Sequence, residues 1–347
     1  MNRRLFTRYS LSLATLPLLP VQLRPSIHSV KRERKGRQLQ RGDTVGLITP
    51  GSYLSDDGLE KAIKNIESLG LKIKLGQHIR AERGFTAGTD AERLHDLHQM
   101  FADDTVAAVW CARGGYGCTR LLPQINYRLL EKHPKLLMGY SDITALLNAI
   151  YEETGLIGLH APVGASDFTE YTVSQLQAVL FADSTGHTIP LSAENLLREE
   201  DAYHYRVIRP GVATGKLAGG NLSLVAAMVG TGRNVVRKKR LIFLEDIGEK
   251  PYRIDRMLTQ LRQAGYFDGA TGISLGVFAD CEPGENARSL TLAETLQDRL
   301  GDLNIPVVYG FPFGHIANQC TLPVGITARL DTKTNTLTLL ENATKMI

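Results

Sequence analysis

Three side chains suited to nucleophilic and proton-transfer chemistry stand at the ends of apolar runs, in the order Ser141, Glu245 and His315. Leu136 to Tyr140 is a short run of strand type, and Ile143, Leu146, Leu147 and Ile150 then recur at helical spacing. Ser141 is thereby set at a strand-to-helix turn, where the first N–H groups of the helix lack intrahelical partners. Such a corner can act as a nucleophile elbow; a serine there can equally do no more than cap the helix. Glu245 closes the run Leu241 to Leu244 and is followed by Asp246. A carboxylate in that place can orient an imidazole and stabilise its charged form, or it can cap a helix or pair with Arg253 or Arg256. His315 lies in the loop Gly310-Phe311-Pro312-Phe313-Gly314-His315 just after a strand. A ring held there is available for proton transfer, unless it is an ordinary surface histidine. His160, at the end of another strand, is the alternative base.

Ala112-Arg113-Gly114-Gly115-Tyr116-Gly117 follows the strand that ends at Trp110. Its glycines allow a tight turn that presents N–H groups, as a phosphate cradle or an oxyanion hole requires. The Lys-Ser/Thr of a P-loop is missing and the spacing is not GxGxxG, which disfavours nucleotide binding. His95 and His98 sit at i, i+3 without an HExxH, so no zinc site is expected, nor any other metal or cofactor. Cys111, Cys118, Cys281 and Cys320 show neither metal-ligand spacing nor a CxxC pair, and read as small buried residues, with a disulfide open if the protein is exported. Trp110, inside a strand, reads as core.

The elements that must position these groups alternate between strand and helix. Strands are predicted at 44–49, 71–75, 106–110, 136–140 and 156–160. A helical face runs through Leu59, Ala62, Ile63, Ile66 and Leu69, and a capping box at Thr89-Asp90-Ala91-Glu92 opens another helix. Asn221 leads a helix over 222–229; further helices are predicted at 252–261 and 292–300, and further strands at 241–244, 273–278 and 307–310. The stretch 320–340 reads as a β-hairpin turning at Thr334-Asn335. This predicts an α/β protein of two domains: an N-terminal domain (42–165) with a mostly parallel sheet flanked by helices, and a smaller C-terminal α/β domain (207–342) with a hairpin at its end. A polar connecting segment (166–206), with a short helix over 173–181, joins them.

Hydrophobic content of 43% and charged content of 22% suit a soluble globular chain. Ten of the 40 Lys/Arg but only two of the 36 Asp/Glu fall in residues 1–43, which leaves the leader at +8 and the remainder at −4. A mildly acidic body argues against nucleic-acid binding. Residues 1–41 read as a leader followed by a solvated basic linker (31–41). Arg3-Arg4 with Phe6 and Arg8, then an apolar run broken by Pro17 and Pro20, resemble a twin-arginine export signal. The run is shorter than the about 20 apolar residues of a membrane span. No small-x-small cleavage site follows it. The balance leans to export, with cytoplasmic retention as the alternative.

Taken together, Trp110 to Gly117, Gly139-Tyr140-Ser141-Asp142, Gly219-Gly220-Asn221-Leu222, Leu244-Glu245-Asp246 with Tyr252-Arg253-Ile254-Asp255-Arg256, and Gly314-His315 resemble the serine L,D-carboxypeptidase family. That family includes muramoyl-tetrapeptide carboxypeptidases and microcin C immunity peptidases. The resemblance covers residues 42–342. It implies a serine peptidase that needs no metal, with Ser141 as nucleophile, His315 as general base and acid, and Glu245 as its orienter. Backbone N–H groups of Asp142, Gly114 and Gly115 would form the oxyanion hole, and Arg113, Tyr116 and Asn221 are candidate substrate contacts. It further implies a homodimer and release of D-Ala from a murein tetrapeptide. The immunity branch would instead require an aromatic platform for a nucleobase, for which Tyr203 or Tyr205 is available. A non-catalytic receptor for D-amino-acid peptides or a nucleotide is the reading from a different class.

Overall fold

Five strands form the parallel part of a first sheet: β1 (Thr44–Ile48), β2 (Lys72–Leu75), β3 (Ala108–Cys111), β4 (Leu136–Gly139) and β5 (Leu159–His160). β3 and β4 are buried at every position, as strands covered on both faces must be. In this computed structural model residues 32–232, 239–284 and 287–346 are described. The leader predicted from the sequence, as far as Lys31, lies outside the described residues. Helix Asp56–Ser68 starts where Ser55 accepts the N–H of Gly58, and helix Asp90–Ala102 starts at the expected capping box of Thr89 and Glu92.

The chain then builds β6 (Thr188–Ile189), β7 (Arg206–Arg209), β8 (Val212–Asn221), β9 (Arg240–Ile247), β10 (Ala270–Ala279) and β11 (Val307–Tyr309). It ends with β12 (Leu322–Pro323), β13 (Thr327–Asp331) and β14 (Thr336–Leu339). Among the described residues the first sheet runs β12-β5-β4-β3-β1-β2, and the second runs β6-β14-β13-β8-β9-β10-β11-β7. β8 to β11 are parallel and the outer strands antiparallel. Helices Pro251–Gln263 and Leu292–Leu300 fall where the periodicity placed them. No described helix is long and apolar enough to cross a membrane.

Four expectations are corrected. The sheet expected in the smaller domain has eight strands against six in the other. The C-terminal hairpin is only β13 and β14, while β12 crosses back to pair antiparallel with β5, Leu322 opposite His160. A two-residue strand has no periodicity to announce it. The connecting segment holds its expected helix, Glu170–Leu180, but also supplies β6 at one edge of the second sheet; β7, which starts at its end, forms the other edge. Residues 32–41 are partly packed, with Gly36 and Leu39 buried and Arg32, Arg37, Gln40 and Arg41 exposed, and not a wholly solvated linker. Arg34 donates its N–H to the Gly155 carbonyl at 2.9 Å, Leu39 is buried, and Arg37 grips both Asp43 oxygens at 2.7 Å. Asp43 nearby and Glu131 from elsewhere in the chain pair with part of a run whose composition alone suggests solvation.

One hydrophobic cluster joins the sheets, with Val109, Met138 and Leu159 of the first and Leu217, Phe243 and Leu330 of the second. A second lies between β9–β10 and the helices Pro251–Gln263 and Leu292–Leu300. The carboxyl ends of β4 and β9 each lead to one of the predicted reactive residues, as open α/β sheets favour.

Candidate active site

Ser141 directly follows β4 and Tyr140, and opens a single 3₁₀ turn, Ser141–Ile143, that runs into helix Thr144–Thr154. Its φ is +63°, left-handed backbone that a residue with a Cβ adopts only under constraint. This is the geometry of an elbow and not of a helix cap, and Ser141 makes no side-chain cap in the turn. The constraint is visible next door. Gly114 packs so closely that a Cβ there would lie 2.9 Å from the Ser141 Cβ and 3.2 Å from its Oγ. Asp142 points inward, 2% exposed, and its Oδ2 accepts the Cys118 N–H at 2.8 Å. Burial raises its carboxyl above the ordinary value, against the Cys118 hydrogen bonds.

The glycine turn is fastened by a residue that the sequence does not single out. Ser52 donates its N–H to the Gly114 carbonyl at 2.9 Å and its hydroxyl to the Phe85 carbonyl at 2.7 Å, and its Oγ accepts the Tyr116 N–H at 3.0 Å. It thereby carries an exposed aromatic pair, Phe85 and Tyr116, with ring centres 5.1 Å apart and edge-on. Arg113 is exposed and donates to the Tyr53 carbonyl at 2.9 Å. Arg113 and Tyr116, expected to touch substrate, are thus exposed on the turn that packs against Ser141. Ser52 and Phe85 are remote from the motif in sequence, and only the fold joins them to it.

From the second sheet, Glu245 of β9 is fully buried, and its Oε2 lies 2.8 Å from Nδ1 of His315. Gly314, at φ +121°, lets the loop close on this carboxylate: a Cβ there would meet the Val277 carbonyl at 2.7 Å and Glu245 Oε2 at 3.3 Å. The His315 ring packs edge-on against Tyr140, centre to centre 4.8 Å, which brings it to the residue before Ser141. Burial alone would lower His315, but the Glu245 charge and hydrogen bond outweigh it, and its pKa is raised. Burial alone would raise Glu245; the His315 charge and hydrogen bond outweigh that and hold its carboxyl below the ordinary value. An ionised carboxylate only accepts, so Nδ1 carries the proton and Nε2 is left as the acceptor.

Asn221, expected to touch substrate, lies behind the site. It is 3% exposed, caps helix Leu222–Ala227 by accepting the Leu224 N–H at 3.2 Å, and donates to Asp246 Oδ1 at 3.1 Å. Its own N–H goes to Thr144 Oγ1 at 3.0 Å, which ties β8 to the helix that follows Ser141. Asp246 also accepts from the Ser223 N–H and hydroxyl; burial, then the Glu245 charge, push its carboxyl up to about 6. His160 is buried on both sides and is no open base. Trp110 is core, its Nε1 donating to the Pro162 carbonyl at 2.8 Å, and all four cysteines are buried and free. Tyr205 meets Phe311 edge-on, ring centres 5.8 Å apart, and Tyr203 carries the Arg198 cation over its ring. Among the described residues no three His, Cys, Asp or Glu are grouped to hold a metal ion.

A serine on a constrained strand-to-helix turn and a buried carboxylate–imidazole pair have the make-up of a serine hydrolase site. The LD-carboxypeptidase N-terminal domain matches residues 45–161 and the LD-carboxypeptidase C-terminal domain matches residues 214–330. The chain belongs to the LD-carboxypeptidase family. It is 39% identical over 302 residues to a Bacillus subtilis protein named probable murein peptide carboxypeptidase, covering 87% of this chain and 93% of that one. It is 34% identical to the murein tetrapeptide carboxypeptidase of Pseudomonas aeruginosa, over 83% of this chain and 92% of that one. The solved muramoyltetrapeptide carboxypeptidase of Oxalobacter formigenes superposes with a TM-score of 0.74 at 30% identity, covering 85% of this chain and 97% of that one. The microcin C7 self immunity protein shares the fold, with a TM-score of 0.80 at 23% identity over 90% of this chain and all of that one.

Proposed function

We propose that this serine peptidase hydrolyses the amide between an L-configured centre and a terminal D-amino acid, releasing D-Ala from murein tetrapeptide. Ser141 is the nucleophile, His315 the base and then the acid, and Glu245 its orienter. The observation that carries the reading is the buried Glu245–His315 hydrogen bond beside a turn that holds a serine in left-handed backbone. Ser141 Oγ attacks the scissile carbonyl carbon as its proton passes to His315 Nε2. The oxyanion is received by the N–H groups of Asp142 and the Gly114–Gly115 turn. His315 returns the proton to the departing amine, and a water, deprotonated by the same nitrogen, then cleaves the Ser141 ester. Relatives that bear murein carboxypeptidase names support the substrate. The enzyme is further read as a homodimer, which sedimentation of the purified protein checks; a monomer would contradict it.

The test is release of D-Ala from murein tetrapeptide, run beside an aminoacyl-sulfamoyl adenosine. The tetrapeptide is the expected preferred substrate, turnover survives a chelator, and Ser141→Ala abolishes it. Preference for the adenylate, or loss of activity on chelation, would overturn the reading.

A further inference from the structure

The donors read as the oxyanion hole come from two places. The Asp142 N–H follows β4, and the Gly114 and Gly115 N–H groups follow β3. Glycines give their turn little rigidity of its own, so it has to be held from outside. One end is fastened by Ser52, whose N–H goes to the Gly114 carbonyl. The other end is fastened by the side chain of Asp142. Its Oδ2 accepts the N–H of Cys118 at 2.8 Å, and Cys118 opens helix Cys118–Leu121 directly after Gly117, at φ +118°. Asp142 is 2% exposed, and the space around that oxygen is full: a Cβ on Gly51 would lie 3.2 Å from it and 2.3 Å from the Gly114 oxygen. Behind Gly117 stands the equally buried Arg93. Its Nη1 donates to the Pro50 carbonyl at 2.5 Å, and a Cβ on Gly117 would meet that nitrogen at 2.7 Å. Burial raises the Asp142 carboxyl, while the Cys118 hydrogen bonds and the Arg93 charge oppose the rise. A carboxylate kept so deep is costly, and packing alone would be served better by an apolar residue.

We propose that the Asp142 side chain is the positioning group of the oxyanion hole: by holding the Cys118 N–H, it fixes the glycine turn at the distance from the Asp142 N–H that a tetrahedral oxyanion needs. One residue thus supplies a donor from its backbone and sets the opposing donors with its carboxylate. The donors then meet the developing charge without reorganisation. This inference rests on the reading of Ser141 and the oxyanion hole given above, and its test separates the two.

Asp142→Ala removes the acceptor, whereas Asp142→Asn keeps an acceptor oxygen without the charge. The proposal predicts that Asp142→Ala lowers kcat roughly 100-fold, the cost of a misplaced or missing oxyanion donor, with KM unchanged. Affinity for a tripeptide boronic acid, with boron in place of the scissile carbonyl carbon, falls by a similar factor, and affinity for the tripeptide product does not. The acid limb of the pH profile stays in place, because Glu245 and His315 are untouched. Asp142→Asn recovers kcat to within about tenfold of wild type, since a neutral acceptor is only modestly weaker than a charged one. A purely structural role lowers the melting temperature but leaves kcat and boronate affinity near wild type, and that result would overturn the proposal; so would an Asn variant no better than the Ala one. Should the variants not fold, a crystal structure of the wild-type boronate adduct decides. An adduct oxygen bonded to the Asp142 N–H and to the Gly114 or Gly115 N–H, with Oδ2 still holding Cys118, is the expected result. An oxygen so bonded while the Cys118 bond is open contradicts the clamp alone. Absence of any adduct on Ser141 would instead remove the underlying reading of the site.

Discussion

The two halves of the site are held by different physics. On the side of the first sheet, Ser141 is set by backbone: a left-handed residue at the end of a buried strand, with Gly114 pressed against it and Ser52 pinning that glycine. On the side of the second sheet, His315 is set by charge: a buried carboxylate fixes its ring, its tautomer and its proton affinity. Ser141, the proposed nucleophile, therefore tolerates no added volume beside it, whereas His315, the proposed base, tolerates no loss of its partner's charge. Each half should break in its own way.

Glu245→Gln, which keeps shape and removes charge, gives the largest effect of the three changes that probe this contrast. kcat falls by about 10³-fold or more, because the amide can hold the wrong tautomer of His315. The acid limb of the residual activity moves down toward the ordinary value of 6.5. The same pair sets a stability window. The contribution of His315, whose pKa is raised, is complete below 6.5 and is lost as pH rises through its raised value. That of Glu245, whose pKa is depressed, is present above the ordinary carboxylate value and is lost as pH falls through its depressed one. The wild-type enzyme is thus expected to gain activity on the alkaline side of His315 just where the pair ceases to stabilise the fold, and Glu245→Gln flattens the melting temperature against pH. A melting curve unchanged by that substitution would contradict the account.

Gly114→Ala attacks the other half by volume. Its Cβ displaces Ser141, and a misplacement of this kind costs about 100-fold in kcat. The pH profile keeps its wild-type position, because no charge has moved. A shifted acid limb would show that the two halves are not separately held. The smallest effect is on stability alone. Ser141→Gly removes the cost of left-handed backbone and stabilises the fold by about 1 kcal/mol, seen as a higher melting temperature of an inactive protein. A lower one would mean that the turn is unstrained.

The strand–turn–helix that carries Ser141 is legible in the sequence because two periodicities meet at one residue, and Glu245 is legible because an apolar run stops at a carboxylate. The capping box at Thr89 and the helix at 292–300 are local as well. What is not legible is everything set by distant packing. Ser52 and Phe85 join the glycine turn only through the fold, and Asn221 reads as a contact although its groups are used internally. The alternation that makes His160 a strand end does not say that its ring faces a dry aromatic cage. The basic run 32–41 looks solvated by composition, yet it pairs with acidic and backbone groups brought in from elsewhere.

Whether the two halves act as one machine is tested most directly by a double-mutant cycle. kcat/KM on murein tetrapeptide is measured for the wild type, Ser141→Ala, His315→Ala and the double variant. The account predicts that each single change removes nearly all activity and that the double variant is no worse than either, because proton transfer has no value without the nucleophile. Losses that add in free energy, or a single variant within tenfold of wild type, would contradict it.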